Sequence, residues 1–124
     1  MFVLSPVSNR KVYELGIDSI PSESECYPAK LAHGHVQWLI NNGIKTIFYP
    51  SIPYERNEFA EANNHYNCPI VTSYPENIKN NIDAIVHGEV DFLHPFISFA
   101  SEETISYRLV EELSEKFHIP ADEI

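Results

Sequence analysis

The chain is poor in positive charge and has no long apolar runs. Its 8 lysines and arginines stand against 18 aspartates and glutamates, which gives a formal net charge of −10. Nucleic acids and anionic membranes both require a basic surface, so this balance argues against either as a partner. No stretch approaches the roughly 20 apolar residues that a membrane-spanning helix needs. The start, MFVLSPVSN, lacks the basic and apolar regions of a signal peptide, so a cytoplasmic location is expected.

Glycine is scarce, with 4 residues in 124. The sequence contains no G-x-x-x-x-G-K-[ST], no G-x-G-x-x-G and no G-x-S-x-G. Glycine-rich loops cradle phosphates and dinucleotides, and the third motif positions a nucleophilic serine. The chain is therefore not expected to hydrolyse ATP by itself.

Cysteine is also scarce, and the two present are Cys26 and Cys68. Two are too few for a disulfide scaffold, and in a cytosolic chain such a pair is more naturally free, redox-active or metal-binding. Cys26 lies two residues before Pro28 at a predicted helix start, and Cys68 directly precedes Pro69 at a predicted strand start. The start of a helix favours the thiolate form of a nearby cysteine. Buried free cysteines are often inert small hydrophobes, so this alternative stays open.

Short apolar runs alternate with amphipathic stretches, which is typical of an α/β fold. We predict a single α/β domain over residues 1–124, with a three-layer αβα arrangement and a mostly parallel, Rossmann-like or flavodoxin-like sheet. Both ends of the sequence suggest that the domain is part of a larger protein. The predicted strands are Phe2–Ser5, Thr46–Pro50, Pro69–Ser73 and Val90–Pro95, and the predicted helices begin near Asn9, Pro28, Ser73 and Ser101. Residues 51–67 form a long polar connection of the kind that is often functional.

Histidines accompany the cysteines without forming a convincing metal motif. His33 and His35 are two apart on a predicted helix, so their side chains point in different directions and cannot share one metal without distortion. We expect one of them to face a cleft, with Gly34 between them allowing another backbone to approach closely. His65 lies near Cys68, which leaves a zinc site of Cys26, Cys68 and His65 as a third alternative.

Three stretches in order carry a family resemblance: PSESECYPAKLAHGHVQWLI, IFYPSIPYER and NNHYNCPIVTSYPENIKNNI. Together they resemble the activase-related region of the CoA-substrate-specific enzyme activases, proteins associated with 2-hydroxyacyl-CoA dehydratases in anaerobic bacteria. The resemblance covers roughly the whole chain. It matches the region that is distantly similar to dehydratase subunits and none of the ATP-hydrolysing module.

The resemblance implies a [4Fe–4S] cluster whose metal ligands include Cys26 and Cys68. It also implies a cysteine after the FYP strand, where this chain has Ser51, and a serine oxygen is a poor ligand for iron in place of a thiolate. The remaining ligands would come from outside the chain, so no cluster is expected on the chain alone. Lys30, His33 and Ser51 are predicted to line the cofactor site, with His35 and Glu23 facing it.

Two hypotheses follow from the resemblance. In the first, the chain is a dehydratase-like domain of a 2-hydroxyacyl-CoA dehydratase activator, and contributes to an iron–sulfur site or its docking in ATP-coupled electron transfer. In the second, it is a non-catalytic scaffold that has lost the cluster and binds other subunits. The implied partners are the activase ATPase module and dehydratase subunits, and the oligomeric state is left open. The chain by itself is not expected to be catalytic.

Overall fold

The computed structural model describes residues 2–124 and confirms the α/β class. Within these residues, helices α1 to α5 span Arg10–Gly16, Tyr27–Asn41, Pro69–Asn81, Asp83–Val86 and Glu102–Phe117, and strands β1 and β2 span Thr46–Phe48 and Asp91–Leu93. Single 3₁₀ turns cover Ile17–Ser19 and Ala121–Glu123. The two strands pair in parallel, as predicted. Two strands do not make a three-layer Rossmann-like architecture, so that finer prediction is not confirmed. None of the helices in residues 2–124 is long and apolar enough to cross a bilayer.

The chain divides into two compact units. The prediction of a single domain over residues 1–124 did not include this division. Unit 1 consists of the described residues up to Tyr49 together with Ser73–His94, and unit 2 consists of Pro50–Thr72 and Pro95–Ile124. The main apolar core belongs to unit 1. Its buried members come from α2, β1, the end of α3, α4 and the approach to β2: Ala32, Val36, Ile47, Ile78, Ile82, Ile85 and Val90.

Helices α1 and α2 of unit 1 pack with their backbones in contact. A Cβ atom on Gly34 would lie 1.9 Å from the carbonyl oxygen of Val12, and one on Gly16 would lie 2.4 Å from the amide nitrogen of Gly34. Only glycine fits at both positions, because any larger side chain would overlap backbone atoms. The close approach that was expected at Gly34 is therefore present.

The connection over residues 51–67 lies in unit 2 and is closed on itself by backbone pairing. Tyr54 and Tyr66 form an antiparallel bridge, and the Glu55 amide donates to the His65 carbonyl at 2.9 Å. The Tyr54 and Tyr66 rings contact each other with centroids 4.6 Å apart and their planes tilted by 44°. The connection contains no helix, but the Tyr54–Tyr66 bridge joins its two sides.

Two predicted strands are wrong. Pro69–Ser73 forms the beginning of α3 instead, so Ser73 lies inside a helix rather than capping one. The run Ile70–Thr72 has the composition of a strand, but a short apolar run cannot be told from a helical segment by pattern alone. Phe2–Ser5 is irregular, because the ladder of the described sheet pairs β1 only with β2.

Candidate functional site

Cys26 is the N-cap residue of α2. Its carbonyl accepts the Lys30 amide at 3.2 Å, and its own backbone is extended, with φ −66° and ψ 152°. The thiol is free and exposed, and makes no capping hydrogen bond to the helix. Its Sγ lies 3.8 Å from the Tyr74 hydroxyl. Pro28 in the first turn fits because the amides there need no intrahelical acceptor.

Cys68 occupies the corresponding position at α3, which the sequence did not predict. Its carbonyl accepts the Thr72 amide at 3.0 Å, the bond that closes the first helical turn, and Pro69 is the first helical residue. The thiol is free and exposed, and the Asn67 side chain accepts the Cys68 amide at 3.1 Å. Both cysteines therefore lie at helix N-termini, where the unpaired amides leave a partial positive charge.

Lys30 and Glu23 are brought together, although through the backbone of Glu23. The Lys30 ammonium donates to the Glu23 carbonyl at 2.7 Å and so holds the loop before α2 against the helix. In the same loop, the Glu25 carboxylate accepts a hydrogen bond from the Asn77 amide group. These contacts hold in place the loop that carries Cys26.

His33 and His35 point to different surroundings. His33 is buried at 2% exposure, and its Nδ1 lies 2.8 Å from the Ser19 hydroxyl. Because Ser19 donates its own hydrogen to the Gly16 carbonyl, Nδ1 of His33 is the donor in this pair. Burial lowers the pKa of His33, against a smaller opposing effect of Glu25. His35 instead pairs with the Ser8 hydroxyl at 2.9 Å and lines a cavity, and burial lowers its pKa as well.

Ser51 is fully buried in unit 2. Its backbone pairs in parallel with Phe96, with the Ser51 amide donating to the Pro95 carbonyl and the Ile97 amide donating to the Ser51 carbonyl, both at 2.9 Å. Its hydroxyl oxygen is buried without a hydrogen-bond partner among the described residues. A buried hydroxyl that makes no hydrogen bond destabilises the fold, so serine is an unfavourable residue at this position.

Metal centres usually need three or more protein ligands. Residues 2–124 contain no group of three His, Cys, Asp or Glu side chains that could together hold a metal ion. The zinc alternative with Cys26, Cys68 and His65 therefore finds no support in these residues. The two free thiols suit iron, but they are not a complete set, so an iron–sulfur cluster would need ligands from outside the chain.

Sequence reasoning missed Tyr74 and Tyr49. Tyr74 touches the Cys26 thiol across 48 positions of sequence, a contact that no local pattern could reveal. Tyr49 follows β1 and lines the same cavity as His35. The only sequence signal for Tyr49 was its position at the end of a predicted strand.

Comparison with known proteins agrees with the family resemblance. Residues 1–124 match the family described as CoA enzyme activase uncharacterised domain. No curated protein and no solved structure matches the chain. The chain belongs to the CoA enzyme activase uncharacterised domain family.

Proposed function

We propose that this chain is a dehydratase-like domain of a 2-hydroxyacyl-CoA dehydratase activator, and that it contributes cysteine thiolates to an iron–sulfur centre. The observation that carries the proposal is the matched placement of Cys26 and Cys68, each free, exposed and at a helix start, with a proline one or two residues later. The protein acts in the cytoplasm. Its partners are the activase ATPase module and dehydratase subunits.

The chemistry of the two positions supports thiolate ligation. A helix start stabilises a nearby negative charge, and a thiolate is the form of cysteine that ligates metal. The Cys26 thiol makes no hydrogen bond that caps α2, so it is not committed to a structural role there. When bound, the cluster supplies one-electron transfer, and the residues of this chain serve to hold it. The other ligands come from the longer protein or a partner subunit.

Iron and sulfide content of the full-length protein, purified anaerobically, tests the proposal. Cys26→Ala and Cys68→Ala should each lower iron content by at least half. Ser101→Ala is the matched control, because Ser101 caps α5 through the Thr104 amide and carries no thiol. The control should lose stability and keep its iron. Wild-type protein without iron, or unchanged iron in both cysteine variants, overturns the proposal.

Ser51 favours a second candidate, a non-catalytic docking domain. At the position where the family resemblance implies a cysteine, this chain has a serine, fully buried and without a hydrogen-bond partner for its hydroxyl among the described residues. A domain that had lost its cluster would keep the fold and the partner surface but not the ligand. Capture of dehydratase or ATPase subunits by a Cys26→Ala/Cys68→Ala double variant as efficiently as by wild type supports docking. Loss of capture together with loss of iron supports the first candidate.

A further inference from the structure

Unit 1 contains a cavity of about 450 Å³ that neither candidate function uses. It lies between α2, the end of β1 and the segment before α1, and Tyr74 closes part of it. The volume lies within the range of small-molecule sites, roughly 300–1,000 Å³. Leu31, Val36, Leu39 and Phe48 are among its apolar lining residues.

The walls of this cavity carry no formal charge. None of the residues that line it is Asp, Glu, Lys or Arg. The one titratable imidazole, His35, has its pKa lowered by burial and is paired with Ser8, so it is neutral at pH 7. Moving a charged group from water into such surroundings costs far more than moving a neutral one. The cavity therefore selects against ions of either sign.

Tyr49 and His35 both bring polar atoms to the wall, and the buried Nδ1 of His35 has no hydrogen-bond partner among the described residues. The Tyr49 ring packs edge-on against Phe92 with centroids 6.4 Å apart. Burial raises the pKa of Tyr49, so the phenol stays protonated and is available as a donor. A ligand acceptor within reach of this phenol would accept a hydrogen bond from it.

We propose that this cavity binds an uncharged, mostly apolar small molecule that accepts a hydrogen bond from Tyr49. Such ligand sites are typically apolar with a few placed polar groups that fix orientation. The apolar part of the ligand fills the space beside Leu31, Leu39 and Phe48, and its single acceptor faces the phenol. The proposal does not depend on iron or on Cys26 and Cys68 as ligands.

Three probes of equal chain length separate charge from apolar contact: 1-octanol, octanoate and octylammonium. The 124-residue chain, purified in air without iron, is titrated with each at pH 7.5, and binding is followed by NMR shifts of the leucine methyl groups. Octanol should shift Leu31 and Leu39 and saturate, with octanoate and octylammonium binding at least about tenfold more weakly because each would bury a charge.

Tyr49→Phe tests the hydrogen bond, since it removes the hydroxyl and keeps the ring. It should weaken octanol binding about 5-fold to 10-fold, which is the usual worth of one such bond. Tyr107→Phe is the matched control, because Tyr107 is 66% exposed on α5 and lines no part of this cavity. It should bind octanol as wild type does. Thermal unfolding of both variants verifies that each is folded.

The proposal is overturned if octanol does not saturate, or if the three probes bind equally, which is partition into an apolar surface. It is also overturned if Tyr49→Phe binds octanol like wild type. Because no iron is present, failure here leaves the iron–sulfur proposal standing, and failure of iron binding leaves this cavity unaffected.

Discussion

The two units of this chain differ sharply in how much they bury. Unit 1 holds nine of the ten buried apolar residues of the described chain, and unit 2 holds only Ile97. In unit 2, helix α5 has no buried residue, although its apolar positions follow a helical stripe. The family motif with Cys26 lies in the packed unit, and Cys68 and Ser51 lie in the other.

This difference indicates that burial of apolar surface stabilises unit 1 more than it stabilises unit 2. Packing of unit 1 rests on burial, which contributes about 25 cal/mol for each Å² of apolar surface. Unit 2 relies more on backbone bridges, on the contact between the tilted Tyr54 and Tyr66 rings, and on the ion pairs that Arg108 makes with Glu111 and Glu112. Exposed ion pairs are worth little, about 0–1 kcal/mol each. We infer that unit 2 opens locally at a lower free energy than unit 1.

The largest expected effect comes from deleting the same atoms in each unit. Ile78→Ala in unit 1 should lower the free energy of unfolding by about 4 kcal/mol, since Ile78 is fully buried and packed on all sides. Ile97→Ala in unit 2 should cost about 2 kcal/mol, because Ile97 is buried but lies outside the main apolar core. Urea unfolding followed by the single Trp38 fluorescence, with amide exchange of α5, measures both. Equal losses in the free energy of unfolding would contradict the inferred difference in packing between the two units.

Gly34→Ala is the next largest and attacks the packing of α1 against α2. Its Cβ would overlap the Val12 carbonyl, so the helices must separate, at a cost of about 3 kcal/mol. Gly43→Ala is the control, because nothing lies within 4 Å of a Cβ there and only its positive φ of 80° is strained. The control should cost about 1 kcal/mol. Thermal unfolding distinguishes them, and equal losses would show that contact with Val12 is not what requires glycine.

Ser51→Ala should stabilise the chain, the opposite sign to the first two. Removing a buried hydroxyl that has no partner relieves a desolvation cost of about 1 kcal/mol, and Ser51→Cys should gain a similar amount. Thr72→Val is a contrasting control, because the Thr72 hydroxyl donates to the Ile52 carbonyl at 3.2 Å and its loss should destabilise. Urea unfolding measures all three. A loss of stability in Ser51→Ala would mean that the hydroxyl is satisfied in solution.

Local chemistry explains what the sequence predicted correctly. Pro28, the Asn42-Gly43 stop and Ser101 each act within one helical turn, so α2 and the start of α5 were predicted near their observed bounds. Cys26 was placed at a helix start for the same reason. The parallel pairing of β1 with β2 follows from the helices between them.

The wrong predictions depend on contacts that are distant in sequence. Ile70–Thr72 favour a strand by composition, but that segment has no ladder partner and continues into the helix that carries Ile78. Placing Cys68 at a helix N-terminus required this correction. The Cys26–Tyr74 contact spans 48 positions and leaves no local pattern. The starts of α2 and α5 are therefore readable from sequence, whereas the start of α3 and the surroundings of each thiol are not.

The smallest expected effect is a pH dependence carried by buried histidine in unit 1. The folded pKa of His33 lies below its ordinary value of 6.5 because burial disfavours the charged ring, against a smaller opposing effect of Glu25. The unfolded chain therefore binds more protons, so this contribution to stability is complete above pH 6.5 and is lost as the pH falls toward the folded pKa. His35 acts in the same direction.

His33→Gln can keep a donor toward Ser19 and removes the titration, so its urea midpoint should fall less than that of wild type between pH 7.5 and 5. His87→Gln, at an exposed position on the turn after α4, should retain the wild-type slope. Parallel slopes in wild type and His33→Gln would show that the imidazole is not held neutral by its burial. Burial of His33 in unit 1 would then carry no electrostatic cost for the charged imidazole.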